Sequence, residues 1–209
     1  MNHKRFKNLR NNFLNKHKDN DHVVIEGKKK VLISAPHGVS QSRLGKTKVA
    51  EIGTIPLSLE LQKFTNAFCI IKTKNNFDDA NFDEKSSYKD EINFLMEKHN
   101  FSHLFDIHGL ASKREMDVNL GVNFGNSIKT DTALFDRLVK MLKNSGFKVT
   151  IDQPFSGGPK TISGSTKEKY PHVWAVQVEI NSKLTNFEEN SEKSNKLISV
   201  LSDFINSIN

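Results

Sequence analysis

Three apolar runs in this sequence end in, or contain, residues able to do chemistry. Val31-Leu32-Ile33-Ser34-Ala35 stops at Pro36-His37-Gly38, and His103-Leu104-Phe105-Asp106-Ile107 stops at His108-Gly109. Val176-Gln177-Val178-Glu179-Ile180 holds a carboxylate inside an otherwise apolar stretch. Short apolar runs of this kind read as buried strands, and in open α/β sheets ligands gather beyond the carboxyl ends of the strands. Two imidazoles and a carboxylate are a common catalytic zinc set, with water in the open position. A further carboxylate that is not a ligand then serves as general base. Glu179 fits that role: burying an unpaired carboxylate is costly, so it either points outward or faces a cation, and a metal ion is one. The residues leave two choices for the third ligand. Asp106 lies two before His108, on the same strand face, and also suits a partner that holds the imidazole in place. Glu51 stands just before a helix start, where the helix dipole alone would favour an acid.

The elements that must position these groups follow from periodicity. Phe6, Leu9, Phe13 and Leu14 predict a short amphipathic helix over 4–17, ended by Asp19-Asn20-Asp21. Residues 39–50 show no period and read as a loop. Pro56 suits a first helical turn, with Leu57, Leu61, Phe64 and Phe68 following on one face. Cys69-Ile70-Ile71 reads as a strand, and Tyr88, Ile92, Leu95 and Met96 as a helix capped near Ser86 or Ser87. Val118–Phe124 and Phe147–Ile151 read as strands, with a helix between them on Leu134, Leu138, Val139 and Leu142 that stops at Gly146. Residues 152–171, rich in Gly, Pro, Ser and Lys, read as a long functional loop. Val173–Ile180 is the most hydrophobic strand, and Leu197, Ile198, Leu201, Phe204, Ile205 and Ile208 mark a C-terminal helix. Strands alternating with helices predict a three-layer α/β fold: a central, mostly parallel mixed sheet flanked by helices.

Composition narrows the function. The chain has 209 residues, 36% hydrophobic and 26% charged, as in an ordinary folded domain. A single cysteine, Cys69, excludes an intrachain disulfide framework and a thiolate zinc cluster. No apolar run approaches the roughly 20 residues of a membrane helix. The start, Met-Asn-His-Lys-Arg-Phe-Lys, has charge without an apolar stretch behind it, so no secretory leader is read and the expected compartment is the cytoplasm. The net charge of +7 is local: residues 1–30 hold nine Lys/Arg and three Asp/Glu, the rest 22 and 21. The basic start reads as a solvated helix and linker over 1–30, ahead of a single domain over 31–209. Aromatic residues do not interleave with those charges, so nucleic acid is not an expected partner. No candidate site residue lies in 1–20, so hydrolysis is expected to survive its deletion.

At this point the motifs resemble a family, the N-formylglutamate amidohydrolases, which stand with the zinc carboxypeptidase-like hydrolases. The matching segments, in the family's order, are Ala35-Pro36-His37-Gly38, Glu51-Ile52-Gly53-Thr54, Asp79-Ala80-Asn81, Phe105-Asp106-Ile107-His108-Gly109, Asp152-Gln153-Pro154-Phe155-Ser156-Gly157-Gly158 and Gln177 through Leu184. The resemblance implies one zinc ion held by His37, Glu51 and His108, with Glu179 as general base and proton shuttle. It implies Arg114 at the oxyanion or the substrate carboxylate. Asn81, Gly157, Gly158 and Lys160 are expected to line the substrate's place. The substrate is expected to be a small N-acyl amino acid or a short peptide. Two positions depart from the pattern: Phe82 and Asn181 stand where the family has arginines. A glutamyl dianion needs paired cations. Phe82 therefore predicts weak use of N-formylglutamate and an apolar preference, unless Arg43, Lys113, Arg114 or Lys160 moves in. Other readings of the same scaffold are a peptidase or esterase, and a binding protein without catalysis. The sequence does not give the oligomeric state.

Overall fold

The computed structural model describes residues 3–185 and 191–208. In chain order it contains α1 (His3–Lys16), β1 (His22–Ile25), β2 (Lys29–Ala35), β3 (Gln41–Arg43), β4 (Lys46–Lys48), α2 (Thr54–Thr65) and β5 (Ala67–Lys72). There follow α3 (Ser87–His99), β6 (His103–Leu110), β7 (Val118–Gly121), α4 (Thr132–Asn144), β8 (Val149–Ile151), α5 (Ile162–Lys169), β9 (Trp174–Asn181), α6 (Ser182–Thr185) and α7 (Ser191–Asn206). A seven-stranded sheet runs β1-β5-β2-β6-β9-β7-β8. β5, β2, β6 and β9 pair in parallel, as do β7 and β8, while β1 on β5 and β7 on β9 are antiparallel. The expected mixed, mostly parallel sheet is thus present.

Helices cover both faces. One face packs Val31, Ile33, Phe105, Ile107, Val176 and Val178 against α1, α2, α4 and α7. The other packs Leu32, Leu104, Ala175, Phe68 and Ile70 against α3 and α5. Central parallel strands buried on both sides read as continuous apolar runs, which is why β2, β5 and β9 were legible. The α3/α5 face changes character along the strands. Towards the carboxyl ends, the same alternate positions carry Ser34, Asp106, His108, Gln177 and Glu179, all buried. Registers Ser34↔Asp106, Asp106↔Gln177 and His108↔Glu179 put these five side by side. The chain leaves β2 towards β5 on one side, while β6 and β9 lie on the other. His37 and His108 therefore flank a point where the strand order reverses, the usual place for a site.

Four stretches differ from the sequence reading. α2 ends at Thr65, so Phe68 lies on β5 and not on the helix face with Leu57 and Leu61. Within 39–50, β3 and β4 form a hairpin; its turn residues Leu44 and Gly45 both have positive φ (51° and 73°), as two-residue hairpins require. The strands are polar on both sides, so no alternation announces them. α5 lies inside the 152–171 stretch, started by Thr161, whose hydroxyl accepts from Gly164 N at 3.1 Å. Residues 22–25 of the basic start form the edge strand β1. Phe6 of α1 is buried in the main core, and Arg10 Nη2 donates to Gly38 O at 3.0 Å. The first helix is thus packed on the domain and reaches the turn beside His37. Ser86 caps α3 as expected, its side chain accepting from Lys89 N at 3.2 Å. No helix among the described residues is long and apolar enough to cross a membrane.

Candidate active site

His37 stands two residues past the end of β2, whereas β6 runs two residues past His108, so the second histidine lies within its strand. Glu51 comes from the loop ahead of α2. That loop folds back through Glu51 N, which donates to His37 O at 2.8 Å, and Thr54 N, which donates to Glu51 O at 3.0 Å. Gly109 makes room for it: a Cβ there would stand 3.1 Å from Glu51 Cβ, and Gly109 N donates to Glu51 Oε2 at 2.9 Å. The glycine after the second histidine is therefore needed for this acid to approach.

His37 Nδ1 lies 2.9 Å from Glu51 Oε1, and His108 Nδ1 lies 3.2 Å from Glu51 Oε2. The two Nδ1 atoms are 3.2 Å apart. On the far side, His37 Nε2 is 2.8 Å from Asp79 Oδ1, and His108 Nε2 is 3.2 Å from Asp106 Oδ2. A carboxylate accepts only, so each Nε2 can give a proton to its own aspartate, and in the neutral imidazole with Nε2 protonated each Nδ1 then presents a lone pair. Three donor atoms, two imidazole nitrogens and a carboxylate oxygen, then converge within 4.8 Å of one another. Lone pairs so arranged repel unless a cation lies among them. Protons supply it in part: burial lowers the basicity of both histidines, but Glu51 with Asp79, and Asp106 with Glu51, raise His37 and His108 above their ordinary values. Burial opposes ionisation of Glu51, yet the facing imidazoles hold it well below the usual carboxylate range. A divalent ion satisfies the same atoms, and two histidines plus one glutamate is a donor set that zinc takes. The residues present fit a metal ion.

Asp106 thus grips His108 from behind, leaving Glu51 as the acid that faces both histidines. Asp79 does the same for His37, a role the sequence reading did not give it. Arg43 Nε and Nη2 both donate to Asp79 Oδ2 at 2.8 Å, so the residue considered as a free cation is paired. The loop that presents Asp79 is anchored by the wholly buried Lys72, whose ammonium meets Asp78 at 2.8 Å and Asp21 at 3.3 Å. Glu179 sits across from His108 on β9 and is 5% exposed. Its Oε1 accepts from Gln177 Nε2 at 2.6 Å. Burial pushes its carboxyl up to about 7, against the pull of His108.

The remaining expected residues are more dispersed. Arg114 lies on the exposed loop after β6, its guanidinium 5.8 Å from the Phe155 ring centroid. Asn181 holds that loop, its side-chain amide donating to Arg114 O and Met116 O at 2.9 Å each. Asn81 Oδ1 accepts from Ile162 N at 2.8 Å. Gly157, at φ 65°, lies against the end of β7, where a Cβ would meet Gly121 O at 2.9 Å; Gly158 O accepts from Thr161 N at 2.9 Å. Gly157 lets this loop lie on the sheet end, whereas a Cβ on Gly158 would meet no atom nearer than Ser156 Oγ at 3.8 Å. Lys160 Nζ lies 5.5 Å from the Phe82 centroid, and Arg43 Cζ lies 4.7 Å from the same ring.

The three-layer α/β fold is the one shared by carboxypeptidase-like hydrolases. The solved N-formylglutamate amidohydrolase of Ralstonia eutropha JMP134 superposes with a TM-score of 0.61 at 12% identity, over 90% of this chain and 96% of that one. A gene product of Agrobacterium tumefaciens gives 0.69 at 12% identity, over 96% and 100%. A metallo-carboxypeptidase of Burkholderia cenocepacia gives 0.59 at 12% identity, over 97% and 69%. At these identities the likeness is one of fold. No curated protein sequence matches the chain. The sequence profile of the N-formylglutamate amidohydrolase family matches residues 86–185, the segment holding His108 and Glu179. The family resemblance read from the motifs is thereby borne out, and the protein is an enzyme of the amide (C–N) hydrolase class.

Proposed function

We propose that the protein is a metal-dependent amidohydrolase acting on a small N-acyl amino acid or a short peptide. The observation that carries this reading is the convergence of His37 Nδ1, His108 Nδ1 and a Glu51 oxygen, with the buried Glu179 directly across from His108. His37, Glu51 and His108 would hold one divalent ion, taken to be Zn2+. Such an ion, when bound, polarises a carbonyl and makes water more acidic. The other steps belong to side chains. Asp79 and Asp106 keep the protons on the Nε2 atoms and so keep both Nδ1 lone pairs available. Gln177 holds Glu179 Oε1, which leaves Oε2 to take a proton from the attacking water and return it to the leaving amine. Without metal, burial raises this carboxyl to about 7, and a cation held by His37, Glu51 and His108 would draw it back towards the ionised form that a general base needs. Arg114 and the Asn81 side-chain amide are the donors assigned to the oxyanion and the substrate, with Gly157 and Gly158 in the wall.

Phe82 alone favours an apolar group, but Arg43 comes to its ring from β3 and Lys160 from the stretch ahead of α5. Lys160 Nζ has no carboxylate partner among the described residues. With Arg43 paired to Asp79, Lys160 is the cation that favours a substrate carrying a carboxylate, and it is the seat assigned to that group. The test is elemental analysis of the purified protein together with hydrolysis of a panel of N-acyl amino acids. About one Zn2+ per chain, with activity lost on chelation and restored by Zn2+, is the expected result. Stoichiometric metal that survives in a His37→Ala/His108→Ala double variant would overturn the assignment.

A further inference from the structure

A chain of buried polar groups runs beneath the site, across three strands. Tyr88, on α3, is wholly buried, and its hydroxyl stands between β2 and β5, accepting from Ala35 N at 3.0 Å and donating to Ile70 O at 2.8 Å. Ser34 Oγ lies 3.1 Å from that hydroxyl and donates to Asp106 Oδ1 at 3.0 Å. Asp106 in turn meets His108 Nε2 through its other oxygen, at 3.2 Å. Ser34, Tyr88 and Asp106 have no exposed surface.

One arrangement of the protons gives every one of these groups a partner. Tyr88 has one, given to the Ile70 carbonyl; Ser34 has one, given to an ionised Asp106; the bond from His108 to Asp106 therefore uses a proton on Nε2. None of these groups reaches water, so each is held by its neighbour rather than by solvent. The apolar face of α3 would be served as well by phenylalanine, yet position 88 carries a hydroxyl that touches one backbone group from each of two strands.

We infer that Ser34 and Tyr88 are positioning residues for the cluster of His37, Glu51 and His108. Ser34 fixes Asp106 and, through it, the tautomer and ring angle of His108. Tyr88 fixes Ser34 and the Ala35 backbone, two residues before His37. Together they set the spacing of the two Nδ1 atoms. The inference rests on reading that cluster as a metal site.

The experiment is a Zn2+ titration in competition with a chromophoric chelator, on wild type, Ser34→Ala, Tyr88→Phe and Asp106→Asn, with thermal melts of each metal-free protein. Loss of the carboxylate partner of a metal-bound histidine typically weakens binding by about 10- to 100-fold. Asp106→Asn is expected in that range, Ser34→Ala at about 10-fold, and Tyr88→Phe at a smaller factor in the same direction. Folded Ser34→Ala and Tyr88→Phe proteins that bind Zn2+ with wild-type affinity would overturn the inference, even if their melting temperatures fall. Tyr88→Phe keeps the ring and its volume, so it decides the matter if Ser34→Ala does not fold. A wild-type protein that binds no Zn2+ would instead overturn the metal reading, and this inference with it.

Discussion

Replacing Glu179 by glutamine separates catalysis from stability, because the structure assigns the carboxylate a cost as well as a task. The side chain is 5% exposed, and burial raises its carboxyl from an ordinary 4.5 to about 7. In the unfolded chain the group ionises near its ordinary value, so the unfolded state releases its proton first as pH rises. Stability of the metal-free protein is therefore lost progressively between pH 4.5 and about 7, and the loss is constant above that. At ~1.4 kcal/mol per tenfold change in proton affinity, the full loss is about 3 kcal/mol. Glutamine has the same shape and no charge, and its Oε1 still accepts from Gln177. Metal-free Glu179→Gln is thus expected to be more stable than wild type by up to about 3 kcal/mol at pH 8, and equal to it at pH 4. With metal restored, turnover should fall by roughly 10²-fold or more, the scale of general base catalysis. Urea denaturation at the two pH values gives the first quantity, and kcat with metal content gives the second. A variant no more stable than wild type at pH 8 would refute the argument that the carboxylate is desolvated. A near-normal kcat would remove Glu179 from the reaction.

Lys160→Met should raise KM for a carboxylate-bearing N-acyl amino acid by about 10-fold, the worth of one charge-assisted hydrogen bond. A neutral isosteric substrate should be unaffected; equal effects on both would place the carboxylate elsewhere. Phe6 is buried in the main core, so Phe6→Ala should cost about 3 kcal/mol in denaturation experiments. Deletion of residues 1–20 also removes Arg10 from Gly38 O and should lower both stability and activity; a fully active, equally stable truncation would show that α1 is dispensable. Burial depresses His103 to about 4, so its contribution to stability is present above pH 6.5 and is lost as pH falls through about 4. His103→Gln should flatten the stability curve in that window, which thermal melts across pH 4 to 7 would detect.

The strands that carry His37, His108 and Glu179 were legible because burial on both faces writes an unbroken apolar run into the sequence. A polar residue inside such a run stands out against that background. Periodicity reports how much of a segment is buried, and it is local. What it does not report is which distant polar groups will meet. Glu51 and Asp106 were equivalent candidates in the sequence; the loop that returns Glu51 N to His37 O, and the space beside Gly109, put one in front of the histidines and the other behind. Asp79 reaches His37 because its loop is anchored by Lys72, a lysine whose burial nothing in its neighbourhood announces. Phe82 alone suggested an apolar pocket, and only the paths of the β3–β4 hairpin and the 152–161 loop bring two cations to its ring. Tyr88 read as one more apolar position on a helix face, since periodicity does not distinguish a buried ring from a buried ring with a hydroxyl. Its partners lie 18, 53 and 54 residues away along the chain. They meet because parallel strands bring distant segments into register, and register is set by the packing of the whole sheet.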